Sequence, residues 1–292
     1  MTLTRRQFLV TSAAATVAVP FLPTVFATAQ ETATTPTMRL GLVTYLWGQD
    51  WDLPTLLKNC EATGLQGIEL RTQHKHGVEP ELSAAARQEV RKRFADSPVT
   101  LVGYGSNAEF HSPDRAEVQR NIELTKSYVQ LMHDCGGSGV KVKPNSLPKE
   151  VPVEKTLTQI GEALNTVAAY AADFNQKIRL EVHGQGTSEL PHIKTIMDVA
   201  THPNVGVCWN SNATDLIGEG LAHNFGLIQH RLADTAHVRE LTAGDYPYAE
   251  LMRLFIAAKF NGWILLECHS NPPDRIEAIR RQVEEYGKIG GK

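Results

Sequence analysis

Three ionisable residues, Glu181, His237 and Glu267, stand at or near the ends of short apolar runs: Leu180-Glu181-Val182-His183, His237-Val238-Arg239 and Leu265-Leu266-Glu267. Side chains alternate along a strand, so once the apolar positions are packed outward on helices the opposite parity faces an interior. That parity turns Arg179, Glu181 and His183 inward from one strand, and Cys208, Asn210 and Asn212 from the next. His237 and Arg239 follow from a third, and Leu265, Glu267 and His269 from the last. Earlier strands add Glu69 with Arg71, and Lys141, Lys143 and Asn145. Charged groups in a low-dielectric interior are costly unless they are paired or bound to a metal. A single glutamate such as Glu69 is accounted for by an ion pair with Arg71 or Lys141. Three groups on one parity, each from its own strand, call for more. Two carboxylates and one imidazole suit manganese, magnesium or cobalt, or zinc in an open catalytic site, so one divalent metal ion is the expected cofactor.

The elements that must position these residues are eight strand and helix pairs. From Arg39 onward, β-branched runs alternate with longer helical patterns, the mark of βα units around a parallel sheet. The strands are expected at Arg39 to Tyr45, Gly67 to Arg71, Val99 to Tyr104, Gly139 to Lys143, Ile178 to His183, Val205 to Trp209, Thr235 to Glu240 and Trp263 to Cys268. Asp52-Leu53-Pro54 opens the first helix with an N-cap and an early proline, and Gly64 closes it. Asp114 caps a long helix ending at Gly136, Thr156 to Phe174 carries an apolar stripe, and Tyr248 to Ala258 and Arg275 to Tyr286 supply the last two. The sixth helix falls within Gly220 to Arg231. No glycine-rich phosphate loop follows an early strand, which argues against a doubly wound open sheet. The expected fold is therefore α/β, a single (β/α)8 TIM barrel over residues 38–292, with its chemistry at the carboxyl ends of the strands.

Composition narrows the partners. The 29 Lys plus Arg against 32 Asp plus Glu give a formal net charge of -3, which offers no electrostatic footprint for nucleic acid. Cys60, Cys135, Cys208 and Cys268 lack a ligand or disulfide spacing and read as small buried hydrophobes. Thr4-Arg5-Arg6-Gln7-Phe8-Leu9, a weakly apolar run to Leu22 and Ala27-Thr28-Ala29 together resemble a twin-arginine export signal over residues 1–29. Residues 30–37 read as a polar linker. Periplasmic or other extracytoplasmic localisation follows, with no stable membrane insertion after the signal is removed.

Leu180-Glu181-Val182-His183, Val205-Gly206-Val207-Cys208-Trp209-Asn210, His237-Val238-Arg239 and Gly262-Trp263-Ile264-Leu265-Leu266-Glu267 occur in an order that resembles the xylose isomerase-like TIM barrels, in their sugar phosphate isomerase/epimerase branch. Gly67-Ile68-Glu69-Leu70 also matches the second strand, and the likeness spans Met38 to Gly287. The resemblance implies one metal held by Glu181, Asn210, His237 and Glu267, with the two glutamates exchanging protons with a small-molecule sugar. Asn210 stands where the family has an acidic ligand, and Ala213 where it often has a histidine. Asn212 or His183 is an alternative fourth ligand. The barrels of this family often pair, so a homo-oligomer is among the expected partners.

Glu181 and Glu267 are thus the expected catalytic pair of an isomerase or epimerase that passes through an enediolate. Glu69, Lys143, His183 and Arg239, with His74, His76, Asn107 and His111 from loops, are placed where sugar hydroxyls bind. Export points to an unphosphorylated sugar or a keto-sugar. A lyase that eliminates the leaving group of an oxidised glycoside is the alternative enzyme, and a sugar-binding barrel without catalysis is the alternative of another class.

Overall fold

Why the chain closes into a ring is visible in its pairing. The computed structural model describes residues 38–290. Its strands are β1 (Arg39–Val43), β2 (Gly67–Arg71), β3 (Thr100–Glu109), β4 (Gly139–Lys143), β5 (Lys177–Glu181), β6 (Val205–Asn210), β7 (Leu232–Val238) and β8 (Trp263–Leu266). Each pairs in parallel with the next, and β1 pairs with β8 through Arg39 with Trp263 and Gly41 with Leu265, so no edge is left open. The helices are α1 (Leu53–Thr63), α2 (Ala84–Ala95), α3 (Arg115–Cys135), α4 (Val153–Asp173), α5 (Leu190–Val199), α6 (Leu221–Ile228), α7 (Tyr248–Ala257) and α8 (Arg275–Lys288). Asp52 caps α1 by accepting from the Thr55 N–H, and Gly64 ends it at a left-handed φ of 82°. Two apolar layers result. Leu40, Leu42, Ile68, Val140 and Ile264 pack outward against helices, while Val43, Val102, Trp263 and Leu265 fill the inside of the ring.

Several boundaries depart from the expected ones, for physical reasons. β3 runs on to Glu109 rather than stopping at Tyr104, with register shifts against β2 and β4; its Gly-Tyr-Gly-Ser-Asn stretch hides the alternation. β5, β7 and β8 stop two residues short of the expected His183, Glu240 and Cys268. His183, Arg239, Glu267 and His269 therefore sit just past the ends of these strands, although the Glu267 N–H still donates to the Val238 carbonyl at 2.8 Å. β7 starts at Leu232 rather than Thr235, which brings Asp234 into the barrel. All four cysteines are buried and free, as expected. The export signal and linker of residues 1–37 lie outside the described residues, among which no helix is long and apolar enough to cross a membrane.

The lower layer of the interior is ionic. Arg179 is fully buried and donates from Nε to Asp234 Oδ1 at 2.8 Å, from Nη2 to Ser138 Oγ at 2.7 Å and from Nη1 to the Val102 carbonyl at 3.2 Å. Gly103 makes this possible, because a Cβ there would run into Arg179 Nη1. Burial pushes the Asp234 carboxyl up, but Arg179 and Lys177 outweigh it and hold it down at about 2. A carboxyl whose folded pKa is depressed stabilises the fold above its unfolded pKa and loses that contribution as pH falls through the folded one. Asp234→Asn is accordingly expected to cost about 2 kcal/mol at neutral pH. The deficit should shrink between about pH 4 and pH 2 in urea melts; a difference independent of pH would contradict the assignment.

Candidate metal centre and cavity

One layer above Arg179 the interior turns to the groups expected to do chemistry. His237, next to last in β7, is wholly buried, with Nε2 3.1 Å from Glu69 Oε1. Its Nδ1 lies 3.3 Å from Glu181 Oε1 and 3.4 Å from Glu267 Oε2. Lys141 Nζ donates to Glu181 Oε2 at 2.6 Å, and Asn210 Nδ2 donates to Glu181 Oε1 at 3.0 Å. Arg71 Nη1 donates to Glu267 Oε1 at 3.3 Å. Gly105 leaves the room for this packing: a Cβ there would lie 2.9 Å from Glu69 Oε1 and 2.8 Å from Arg71 Cδ.

The electrostatics follow from those contacts. Burial alone would raise the Glu181 carboxyl, but Lys141 and His237 hold it well below the usual carboxylate range. Glu267 is likewise lowered against its burial, chiefly by His237. Burial opposes a charge on His237, yet Cys208, Glu69 and Glu267 around the ring raise its pKa well above the ordinary imidazole value.

The donor set fits a divalent cation. One atom each from Glu181, His237 and Glu267 lie within 4.8 Å of one another, all three residues being buried. Glu69 takes the Nε2 proton of His237, which leaves Nδ1 as the ligating atom, and an imidazole held by a second carboxylate is the usual support of a metal histidine. Asn210 has its NH2 engaged by Glu181, so Oδ1 is the atom left to coordinate. Asn212 turns its amide to the Val182 and Asn210 carbonyls at 2.7 and 3.0 Å. Glu69→Gln is expected to weaken binding of manganese by about tenfold. Calorimetric titration of stripped protein checks this, and an unchanged affinity would mean that Glu69 does not orient His237.

Above the three ligands opens a cavity of about 470 Å³. Glu181, Asn210 and Glu267 form its floor, and Lys143, His183 and Arg239 stand in its wall. His183 Nδ1 is buried and has no hydrogen-bond partner among the described residues. Burial lowers the pKa of both His183 and Lys143. Other expected substrate residues stand elsewhere. Glu69 is fully buried behind His237 and outside the cavity lining. His76 has both ring nitrogens engaged, Nε2 with the Arg71 carbonyl at 2.7 Å and Nδ1 accepting from the Val78 N–H at 3.0 Å, so it fastens its own loop. Asn107 is exposed and reaches the site only by accepting from Arg71 Nη2 at 3.4 Å. His74 pairs with Thr44 Oγ1, and His111 lies beside Glu109; neither lines the cavity. Arg71, Tyr45, Ser211 and His269 do line it. Inward parity signals Arg71 and His269 without giving either a role.

Comparisons bear on this arrangement. A family model described as Xylose isomerase-like TIM barrel matches residues 57–286. The search of curated sequences found no match. Among solved structures, D-psicose 3-epimerase in the presence of D-fructose superposes with a TM-score of 0.75 at 14% identity, over 87% of this chain and 100% of that one. The 3-keto-D-glucoside 4-epimerase of E. coli, in its apo form, gives 0.73 at 11% identity over 86% and 100%. The IolI protein with a bound zinc atom gives 0.73 at 16% identity over 86% and 98%. At these identities the likeness is one of fold.

Proposed function

Because the chain belongs to the xylose isomerase-like TIM barrel family, we propose that it is a sugar isomerase or epimerase holding one divalent metal on Glu181, His237 and Glu267, with Asn210 as a fourth ligand. The observation that carries this reading is the convergence of two carboxylates, Glu181 at the end of β5 and Glu267 just past β8, on His237 Nδ1, beneath an open cavity. Similar folds that are sugar epimerases by name, and one that carries zinc, support it. When bound, the metal supplies Lewis-acid polarisation of a sugar carbonyl and its neighbouring hydroxyl.

The chain's own residues supply the proton traffic. Glu181 has both oxygens engaged, one by Lys141 and one by Asn210 and His237, and its side chain is 1% exposed. Glu267 also has both oxygens met, by Arg71 and His237, but at 8% it is the more exposed of the two glutamates lining the cavity, so it is assigned the carbon-bound proton and Glu181 the opposite transfer. Lys143 stands in the wall, where its ammonium can donate to a sugar oxygen. His183 lines the cavity wall, where its imidazole can meet a sugar hydroxyl. Export by the twin-arginine signal belongs to the same reading and directs it to unphosphorylated sugars and keto-sugars.

Incubation of manganese-loaded protein with unphosphorylated aldoses, ketoses and 3-keto-glycosides in heavy water tests the proposal. Deuterium on carbon in recovered sugar is expected. Release of a free aglycone without exchange would make the chain a lyase, and saturable binding with neither would make it a sugar-binding barrel; each overturns the isomerase reading.

A further inference from the structure

The wall of the cavity is richer in cations than metal chemistry on a neutral sugar requires. Arg71 from β2, Lys143 from β4 and Arg239 just beyond β7 all line it, against two lining carboxylates, Glu181 and Glu267. Those two carboxylates are the proposed metal ligands, so a bound divalent cation offsets them and leaves the three cations to the cavity. The other counter-charges are weak. Lys143 Nζ is 3.6 Å from Glu109 Oε1, beyond hydrogen-bonding distance, and Glu109 does not line the cavity. Arg239 Nη1 meets Asp245 at 2.7 Å, but Asp245 is 48% exposed, and an ion pair at a wet rim is worth little.

Guanidinium and ammonium groups only donate, whereas sugar hydroxyls both donate and accept. A wall of donors is best satisfied by an acceptor-only group, and a carboxylate matches guanidinium in charge and planar geometry. Phosphate fits less well. It is ordinarily cradled by free backbone N–H groups, and those of Ser211 and Asn212, at the cavity, are already engaged by the His237 carbonyl and Asp215 Oδ2.

Resting on the isomerase reading, we infer that the substrate is a sugar acid, whose carboxylate is held by the cationic wall of Arg71, Lys143 and Arg239 while the metal takes its carbonyl end.

Equilibrium binding to the manganese-loaded protein tests this without turnover. D-glucuronate, D-galacturonate and D-mannuronate are each titrated against the neutral hexose of the same configuration and its 6-phosphate. At least one uronate is expected to bind ten times more tightly than its neutral parent, and more tightly than the phosphate. The margin should narrow in Lys143→Met or in Arg239→Met, whichever residue seats the acid, and persist in Lys143→Arg and Arg239→Lys. Manganese stoichiometry and melting profiles show that the variants are folded. Equal binding of acids and neutral sugars, tighter binding of phosphates, or a margin unmoved in both methionine variants overturns the inference. Deuterium exchange with neutral sugars alone overturns it too and leaves the isomerase reading standing. Acid preference without exchange on any sugar overturns the isomerase reading and leaves the acid site.

Discussion

Glu267→Gln is expected to lower turnover by about a thousandfold, near 4 kcal/mol of transition-state stabilisation. The substitution keeps the size of the side chain and an acceptor oxygen for Arg71 Nη1, now 3.3 Å from the carboxylate, so the cavity should keep its shape. What it removes is the basic atom. Glu267 is the more exposed of the two glutamates at the floor. Because the same residue is a proposed ligand, the variant is assayed at saturating manganese, with metal content measured beside the rate. A loss carried by kcat at full metal content is the predicted result. Full activity with metal bound would remove Glu267 from the proton transfer.

Lys141→Met is expected to make folding depend on the metal. Lys141 is fully buried and its partner, at 2.6 Å, is Glu181, itself 1% exposed. Removing one member of a buried ion pair strands the other charge, at a typical cost of about 3–5 kcal/mol. A divalent cation on Glu181 supplies the missing positive charge and so restores much of that loss. In chelator the variant should melt about 10 °C below the wild type, and manganese should recover most of the difference. A deficit that manganese leaves untouched would mean that Glu181 does not face the metal. Recovery also separates this residue from Asp234, whose partner Arg179 lies in the layer below.

Much of this site is legible in the amino-acid sequence, because period-two alternation is a local property of the chain. The parity that puts Glu181, Asn210, His237 and Glu267 on one side also puts Lys141, Arg71 and Arg179 there, and all of them face the interior. Alternation gives a side but not a depth. Glu69 and Arg71 share a parity, yet two residues of strand rise, about 6–7 Å, separate a carboxylate behind His237 from a guanidinium in the cavity wall. Depth is set by the stagger between strands, a long-range property that includes the register shift between Ile68 and Glu69. Arg179 and Glu181 repeat the lesson, one in the lower ionic layer and one at the floor.

Loops are less legible for a related reason. Residue type alone suggests that His76 and Asn107 meet the sugar, but nothing in their spacing encodes where a loop turns back. His76 ties to Arg71 and Val78, and Asn107 braces Arg71 from the exposed side. Asp234 escapes a reading by pattern because Leu232-Ala233-Asp234 lacks the β-branched run that announces a strand, and its place follows from pairing with β6.

The central claim is that Glu181, His237 and Glu267 hold one divalent ion at the floor of this cavity. Calorimetric titration of manganese into stripped wild-type protein and His237→Ala tests it most directly. The account predicts one site per chain in the wild type, its affinity rising with pH as the His237 proton is displaced, and loss of that site in the variant. Equal stoichiometry and affinity in the two proteins would contradict it.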